Sequence, residues 1–216
     1  MISARNIHKS FGDLEVLKGI DLEIKKGEMV SIVGASGAGK TTLLQILGTL
    51  RSFDNGEVVI NDVNVSELKD KQLSKFRNHN IGFVFQFHNL LPEFTALENA
   101  SLPLLIQKVG KNEAENKAKE ILSYLGLENR LLHKPHELSG GELQRIAIAR
   151  ALVTNPSVIL ADEPTGNLDS KNTKDILNLL KNLKQEMNLT IVIVTHNLEL
   201  ANATDHIFSI QDGKII

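Results

Sequence analysis

The sequence predicts an α/β fold, and three observations carry that prediction. Val158-Ile-Leu-Ala161 and Ile191-Val-Ile-Val194 are short apolar runs without alternation, the pattern of strands buried on both faces of a parallel sheet. From Ser139 onward helical patterns alternate with these runs, as they must where parallel strands are joined by crossovers. Between Glu93 and His136 the strands stop, and Ala114, Ala118, Ile121, Leu122 and Leu125 recur at helical spacing, which predicts an inserted helical lobe over residues 93–136. The 216 residues then make one domain, with 1–92 and 137–216 forming the strand-bearing part around that lobe.

Ile2 to His8, Glu15 to Ile24 and Glu28 to Val33 read as strands, the second alternating through Val16, Ile20, Leu22 and Ile24. Gly12-Asp13 and Lys26-Gly27 supply the turns between them. A glycine-rich loop then runs straight into a helix from Lys40 to Leu47, followed by Gly48. Asp54-Asn55-Gly56 reads as a hairpin-type turn and Glu57 to Val65 as a strand pair. Lys69 to Asn78 is a polar helix, and Ile81 to Phe85 a short buried strand ending at Gln86. Beyond the helical lobe come a helix from Ser139 to Val153, the strand Val158 to Ala161 and a helix from Lys171 to Met187. The strand Thr190 to Thr195, a short helix near Leu198 to Ala203 and the strand His206 to Ile210 complete the chain. The polar run Lys108 to Glu120 reads as the solvated face of a helix.

Composition narrows the function. Twenty-four basic against 26 acidic residues leave a net charge of −2, so no overall field favours nucleic acid or an anionic membrane. With no cysteine, disulfides, thiolate catalysis and cysteine-held zinc are all excluded. The start at Met1 lacks an apolar leader segment, and no apolar run approaches the ~18 residues of a membrane span. If the protein serves a membrane, another chain is expected to cross it.

The chemistry is carried by three motifs. Gly34-Ala35-Ser36-Gly37-Ala38-Gly39-Lys40-Thr41 matches G-x-x-x-x-G-K-[ST] between a predicted strand and a predicted helix. Its glycines let backbone N–H groups converge on phosphate oxygens, Lys40 brings a charge to the β and γ phosphates, and Thr41 offers a hydroxyl to Mg²⁺. Val158-Ile-Leu-Ala-Asp162-Glu163 is an apolar strand ending in two carboxylates where a parallel sheet places ligands. Asp162 suits the Mg²⁺ shell, and Glu163 suits acceptance of a proton from an attacking water. Leu138-Ser139-Gly140-Gly141-Glu142 opens a helix with an S-x-x-E capping box, and its open amides make a second surface fit for phosphate. One nucleotide on one small domain does not readily need both surfaces. Phe11 and His196 by themselves read as core residues as readily as ligand contacts, while His133 and His136, with Pro135 between them, read as loop residues.

Together these motifs resemble the nucleotide-binding subunit of an ABC transporter, over nearly the whole chain. The resemblance implies a RecA-like core sheet with an N-terminal antiparallel β part and the helical lobe. It implies ATP binding at Phe11, which stacks on adenine, and across Gly34 to Thr42, with Mg²⁺ held by Thr41, Gln86 and Asp162. Gln86 then lies in the Q-loop, Asp169 in the D-loop, and His196 is the switch histidine, catalytic together with Glu163 and Gln86. Asn197 departs from the aspartate usual after that histidine. Two such cassettes close head to tail, so Ser139, Gly140, Gly141 and Glu142 are expected to act on the ATP of a second copy. Within the family, Gln86 to Ile106 resembles the ATPases of lipoprotein-releasing systems more than those of macrolide export or cell division. That implies a peripheral subunit on the cytoplasmic face of the inner membrane, bound to integral permease subunits and touching neither lipid nor nucleic acid.

Overall fold

The computed structural model describes residues 1–216. The chain begins with β1 (Ile2–Phe11), β2 (Leu14–Ile24), β3 (Met29–Gly34), α1 (Lys40–Leu47), β4 (Asn55–Ile60) and β5 (Val63–Asn64). Next come α2 (Asp70–Asn80), β6 (Ile81–Val84), α3 (Ala96–Ile106), α4 (Lys111–Tyr124), α5 (Gly140–Leu152) and β7 (Val158–Asp162). The last elements are α6 (Ser170–Met187), β8 (Thr190–Val194), α7 (Leu198–Asn202), β9 (His206–Gln211) and β10 (Lys214–Ile215). They gather into two compact units, Met1–Arg77 with Lys181–Ile216, and Asn78–Leu180.

The first unit holds two sheets. An antiparallel one runs β2-β1-β4-β5 and buries Ile2, Ile7, Leu17, Ile20, Ile24 and Ile60 completely; the odd spacing of Ile2 from Ile7 and of Leu17 from Ile20 is accommodated by register shifts on either side of Ile7. In the other, β3 lies parallel to β8 on one side and β9 on the other, and Val30 pairs with both Val192 and His206. Ile191, Val192 and Ile193 are wholly buried, which accounts for their unbroken apolar run. Gly34, the last residue of β3, stands opposite Ile210 of β9, so the glycine-rich loop leaves from the C-terminal edge of the parallel strands.

Two turns correct the sequence reading. The hairpin turn lies at Asn61-Asp62, where both residues take positive φ (51° and 63°), the geometry that matches the twist of paired strands. Asp54-Asn55-Gly56 makes no hairpin: Asn55 and Gly56 begin β4, and Gly56, at φ 117°, passes so close to the Asn6 carbonyl that a Cβ would not fit. A further hairpin, which the sequence reading did not include, turns at Asp212-Gly213 and adds β10 antiparallel to β9.

In the second unit β6 and β7 pair in parallel, Ile81 against Val158, and α3, α4 and α5 pack together with α5 against β6. Helix α4 turns Ala114, Ala118 and Leu122 inward and keeps its charges outside, where Lys117 pairs with Glu113 at 2.7 Å. Gly82 of β6 lies against the main chain of Ala151, an approach that any side chain would prevent.

Candidate nucleotide site

The phosphate loop of the first unit has open amides. Helix α1 starts from Gly39, at φ 102°, with no side-chain cap and no acidic residue in its first turn. Its positive dipole end therefore faces the loop. Glycine is required at Gly34, where a Cβ would strike the Ile210 carbonyl, and at Gly39, where it would meet Leu17. Ala35, Ser36 and Gly37 are exposed, and Lys40 donates from Nζ to the carbonyls of Gly34 at 2.9 Å and Ala35 at 2.8 Å. A cavity of about 530 Å³ adjoins the loop, lined by Gly34 to Ala38, by Leu14 and Val16 of β2, and by Ser209 to Gly213.

Phe11 is not a core residue: it is 42% exposed. The Arg51 guanidinium sits 4.9 Å and the Lys9 ammonium 5.7 Å from its ring centroid, so the aromatic face already attracts cations. Phe11 lies outside the lining of the 530 Å³ cavity. His196 is exposed as well, which removes its reading as a packed core histidine. Asn197 beside it caps α7, its Oδ1 accepting from the N–H groups of Glu199 at 2.8 Å and Leu200 at 3.2 Å. An aspartate there would cap the helix in the same way.

The second unit carries the carboxylates. Asp162 ends β7, and Glu163 follows with φ 46°, a left-handed conformation uncommon outside glycine and asparagine. The turn closes with the Gly166 N–H donating to the Glu163 carbonyl at 3.0 Å. Gln86 lies against this turn: Asn167 Nδ2 donates to its main-chain oxygen at 3.0 Å, and a Cβ on Gly166 would stand 2.9 Å from its Nε2. Asp169 accepts from the N–H and the Nδ2 of Asn172 at 2.8 and 2.9 Å at the start of α6, and the first of these bonds does most to lower its pKa.

The signature motif is a complete capping box. Ser139 donates to Glu142 Oε2 from N at 2.8 Å and from Oγ at 2.7 Å, and the Glu142 N–H returns to Ser139 Oγ. Arg130 adds a bond to Oε1 at 2.7 Å. Ser139 and Gly140 are exposed, whereas Gly141 is buried with Asn172 where its Cβ would lie.

A glycine loop running into a helix start, a strand ending in Asp-Glu and an exposed Ser139-Gly140 cap suit a protein that grips phosphate on more than one face. The family model described as ABC transporter matches residues 17–166. This chain belongs to the ABC transporter family. It is 59% identical over 215 residues to the lipoprotein-releasing system ATP-binding protein LolD of Bacteroides thetaiotaomicron, covering 100% of this chain and 99% of that one. The LolD of Bacteroides fragilis is also 59% identical, with full coverage of both. Among solved structures it is similar to the dimeric MJ0796, a bacterial ABC transporter cassette, with a TM-score of 0.91 and 45% identity over 100% of this chain and 96% of the other. A post-hydrolysis state of MJ0796 bound to ADP and Pi matches with a TM-score of 0.91 and 44% identity.

Two residues of this ABC transporter chain escaped the sequence reading. Asn99 of α3 is fully buried: its Oδ1 accepts from the Leu91 N–H, and its Nδ2 donates to the carbonyls of Leu91, Phe94 and Thr95 at 3.0–3.1 Å. Arg150 of α5 reaches the carbonyls of His88 and Asn89. Around these anchors Phe87, Leu91 and Phe94 stay exposed, at 73%, 41% and 36%.

Proposed function

We propose that this protein is the ATP-hydrolysing subunit of a membrane complex that releases lipoproteins from the inner membrane toward the outer membrane. The observation that carries the reading is the 59% identity to LolD over essentially the full length of both chains. Its place is the cytoplasmic face of the inner membrane, held there by permease subunits, a reading supported by the likeness to LolD. No helix of the chain is long and apolar enough to cross a membrane. Phe87, Leu91 and Phe94 offer those subunits an apolar contact.

In the reaction, water attacks the γ-phosphorus of ATP and the bond to the bridging oxygen of ADP breaks. Glu163, in the left-handed turn after β7, accepts the proton of the attacking water. The main-chain N–H groups of Gly34 to Thr42 and the Lys40 ammonium hold the β and γ phosphates, and Lys40 exchanges its own loop carbonyls for phosphate oxygens. Phe11 stacks on adenine, His196 contacts the γ-phosphate, and Gln86 orients the water. Thr41, Gln86 and Asp162, a hydroxyl, an amide and a carboxylate, are hard oxygen donors that would hold Mg²⁺ carried in with nucleotide phosphates. When bound, Mg²⁺ neutralises charge on the β and γ oxygens. A second copy presents the exposed Ser139-Gly140 cap to the far side of the γ-phosphate, an arrangement supported by the dimeric MJ0796 structures.

Co-purification from detergent-solubilised membranes tests the substrate reading. A lipoprotein-release permease should come down with the wild-type chain. Recovery of a fused macrolide exporter or a division protein in its place would refute it.

A further inference from the structure

The loop between Gln86 and Asn99 is held from the side of α5 by one residue. Arg150 donates from Nη1 to the Asn89 carbonyl and from Nη2 to the His88 carbonyl, both at 2.6 Å. His88 and Asn89 are successive non-glycine residues with positive φ, 61° and 48°. Outside a two-residue hairpin turn such a pair costs free energy, though least in His and Asn, and contacts that hold it in place offset that cost. A planar guanidinium that spans two adjacent carbonyls with charge-assisted bonds is such a contact.

The position of this clamp links two parts of the unit. Arg150 stands ten residues beyond Gly140 on the same helix, about 15 Å along its axis from the signature motif. The clamped turn follows Gln86 by two residues, and exposed Phe87 lies between them. Gln86 itself is pinned on its other side, where Asn167 holds its carbonyl at 3.0 Å and Gly166 borders its amide. The end of α5 and the turn after Glu163 thus fix the Q-loop from two directions.

We infer that Arg150 is a positioning residue for ATP hydrolysis: by clamping the His88-Asn89 carbonyls it sets where Gln86 and Phe87 stand and ties them to the signature helix. The inference rests on the ATPase reading above, but the clamp can be tested without it. The full chain is compared as wild type, Arg150→Lys and Arg150→Met, by amide hydrogen exchange and by ATP turnover. Both variants should speed exchange from Gln86 to Leu91 while exchange in α1 and β7 stays at the wild-type rate. Turnover should fall at least about tenfold with the KM for ATP nearly unchanged, the mark of a misplaced group and not of lost binding. Lysine does not rescue, because one ammonium cannot bridge two carbonyls as a fork does.

Wild-type exchange over residues 86–91 in both variants overturns the clamp, and so does a wild-type kcat. Exchange that rises throughout the chain marks a plain loss of stability and overturns it equally. A wild-type chain that is protected at 86–91 yet hydrolyses no ATP refutes the ATPase reading alone.

Discussion

Glu142 serves three donors with one side chain: the Ser139 N–H, the Ser139 hydroxyl and the Arg130 guanidinium. Those bonds, the Ser139 N–H first, lower its pKa from 4.5 to about 2. A carboxylate whose folded value is depressed stabilises the fold fully above its unfolded value, and that contribution fades as pH falls toward the folded one. Glu142→Gln keeps an amide oxygen for the Ser139 N–H but removes the charge, so it should cost about 1 kcal/mol at neutral pH, the difference between charged and neutral hydrogen bonds. Urea unfolding of both proteins should show the gap closing between about pH 4.5 and pH 2, and a gap that is constant over that range would disprove the assignment. The cap was legible because its two partners lie three residues apart, within reach of a local pattern. The left-handed φ of Glu163 was not, since the conformation is imposed on a residue type that does not advertise it. Asn99 and Arg150 were equally hidden: their partners are main-chain groups, of a kind that nearly every residue possesses, and those of Arg150 lie about sixty positions away.

At the scale of elements, apolar period placed almost every strand and helix, and α1 falls at Lys40–Leu47 as the loop and Gly48 require. Ends were less legible, because strands such as β1 continue to Phe11 through half-exposed residues that carry no alternation signal. The hairpin was misplaced for a physical reason. Asn-Gly is the strongest turn dipeptide, yet in this chain the glycine answers a close crossing of two backbones, and the turn falls to Asn61-Asp62. The correction has a measurable consequence. Asp62, at φ 63°, holds a conformation that glycine adopts without a Cβ penalty, and Asp62→Gly restores the favoured Asn-Gly loop. The substitution should raise unfolding free energy by about 0.5 kcal/mol, read as a higher urea midpoint with the same slope. A lower midpoint would show that the Asp62 side chain contributes more than the backbone strain costs.

The whole molecule is where composition helped least and motifs helped most. A net charge of −2 and the absence of cysteine excluded partners and chemistries, but the order of loop, capped glycine pair and Asp-Glu strand pointed to the family. The division into units at Arg77 and Leu180 was not legible, because contact density depends on packing that no local pattern records. The proposed dimer gives the prediction that belongs to this scale. Glu163→Gln keeps the shape of the turn and removes the base, so with ATP it should elute at twice the mass of the chain and turn over at least about a hundredfold more slowly. Wild-type turnover by this variant would end the role given to Glu163. The uncapped N-terminus of α1 reaches beyond mechanism: α3, α5 and α7 start at capping side chains and α4, likewise uncapped, has Glu113 in its first turn, whereas α1 has neither. Bound nucleotide would then add to the stability of the fold, by about 2.7 kcal/mol when present at a hundred times its Kd. The cell's energy charge would thereby set the cassette's lifetime as well as its work, with a starved cell keeping a softer protein that is easier to degrade.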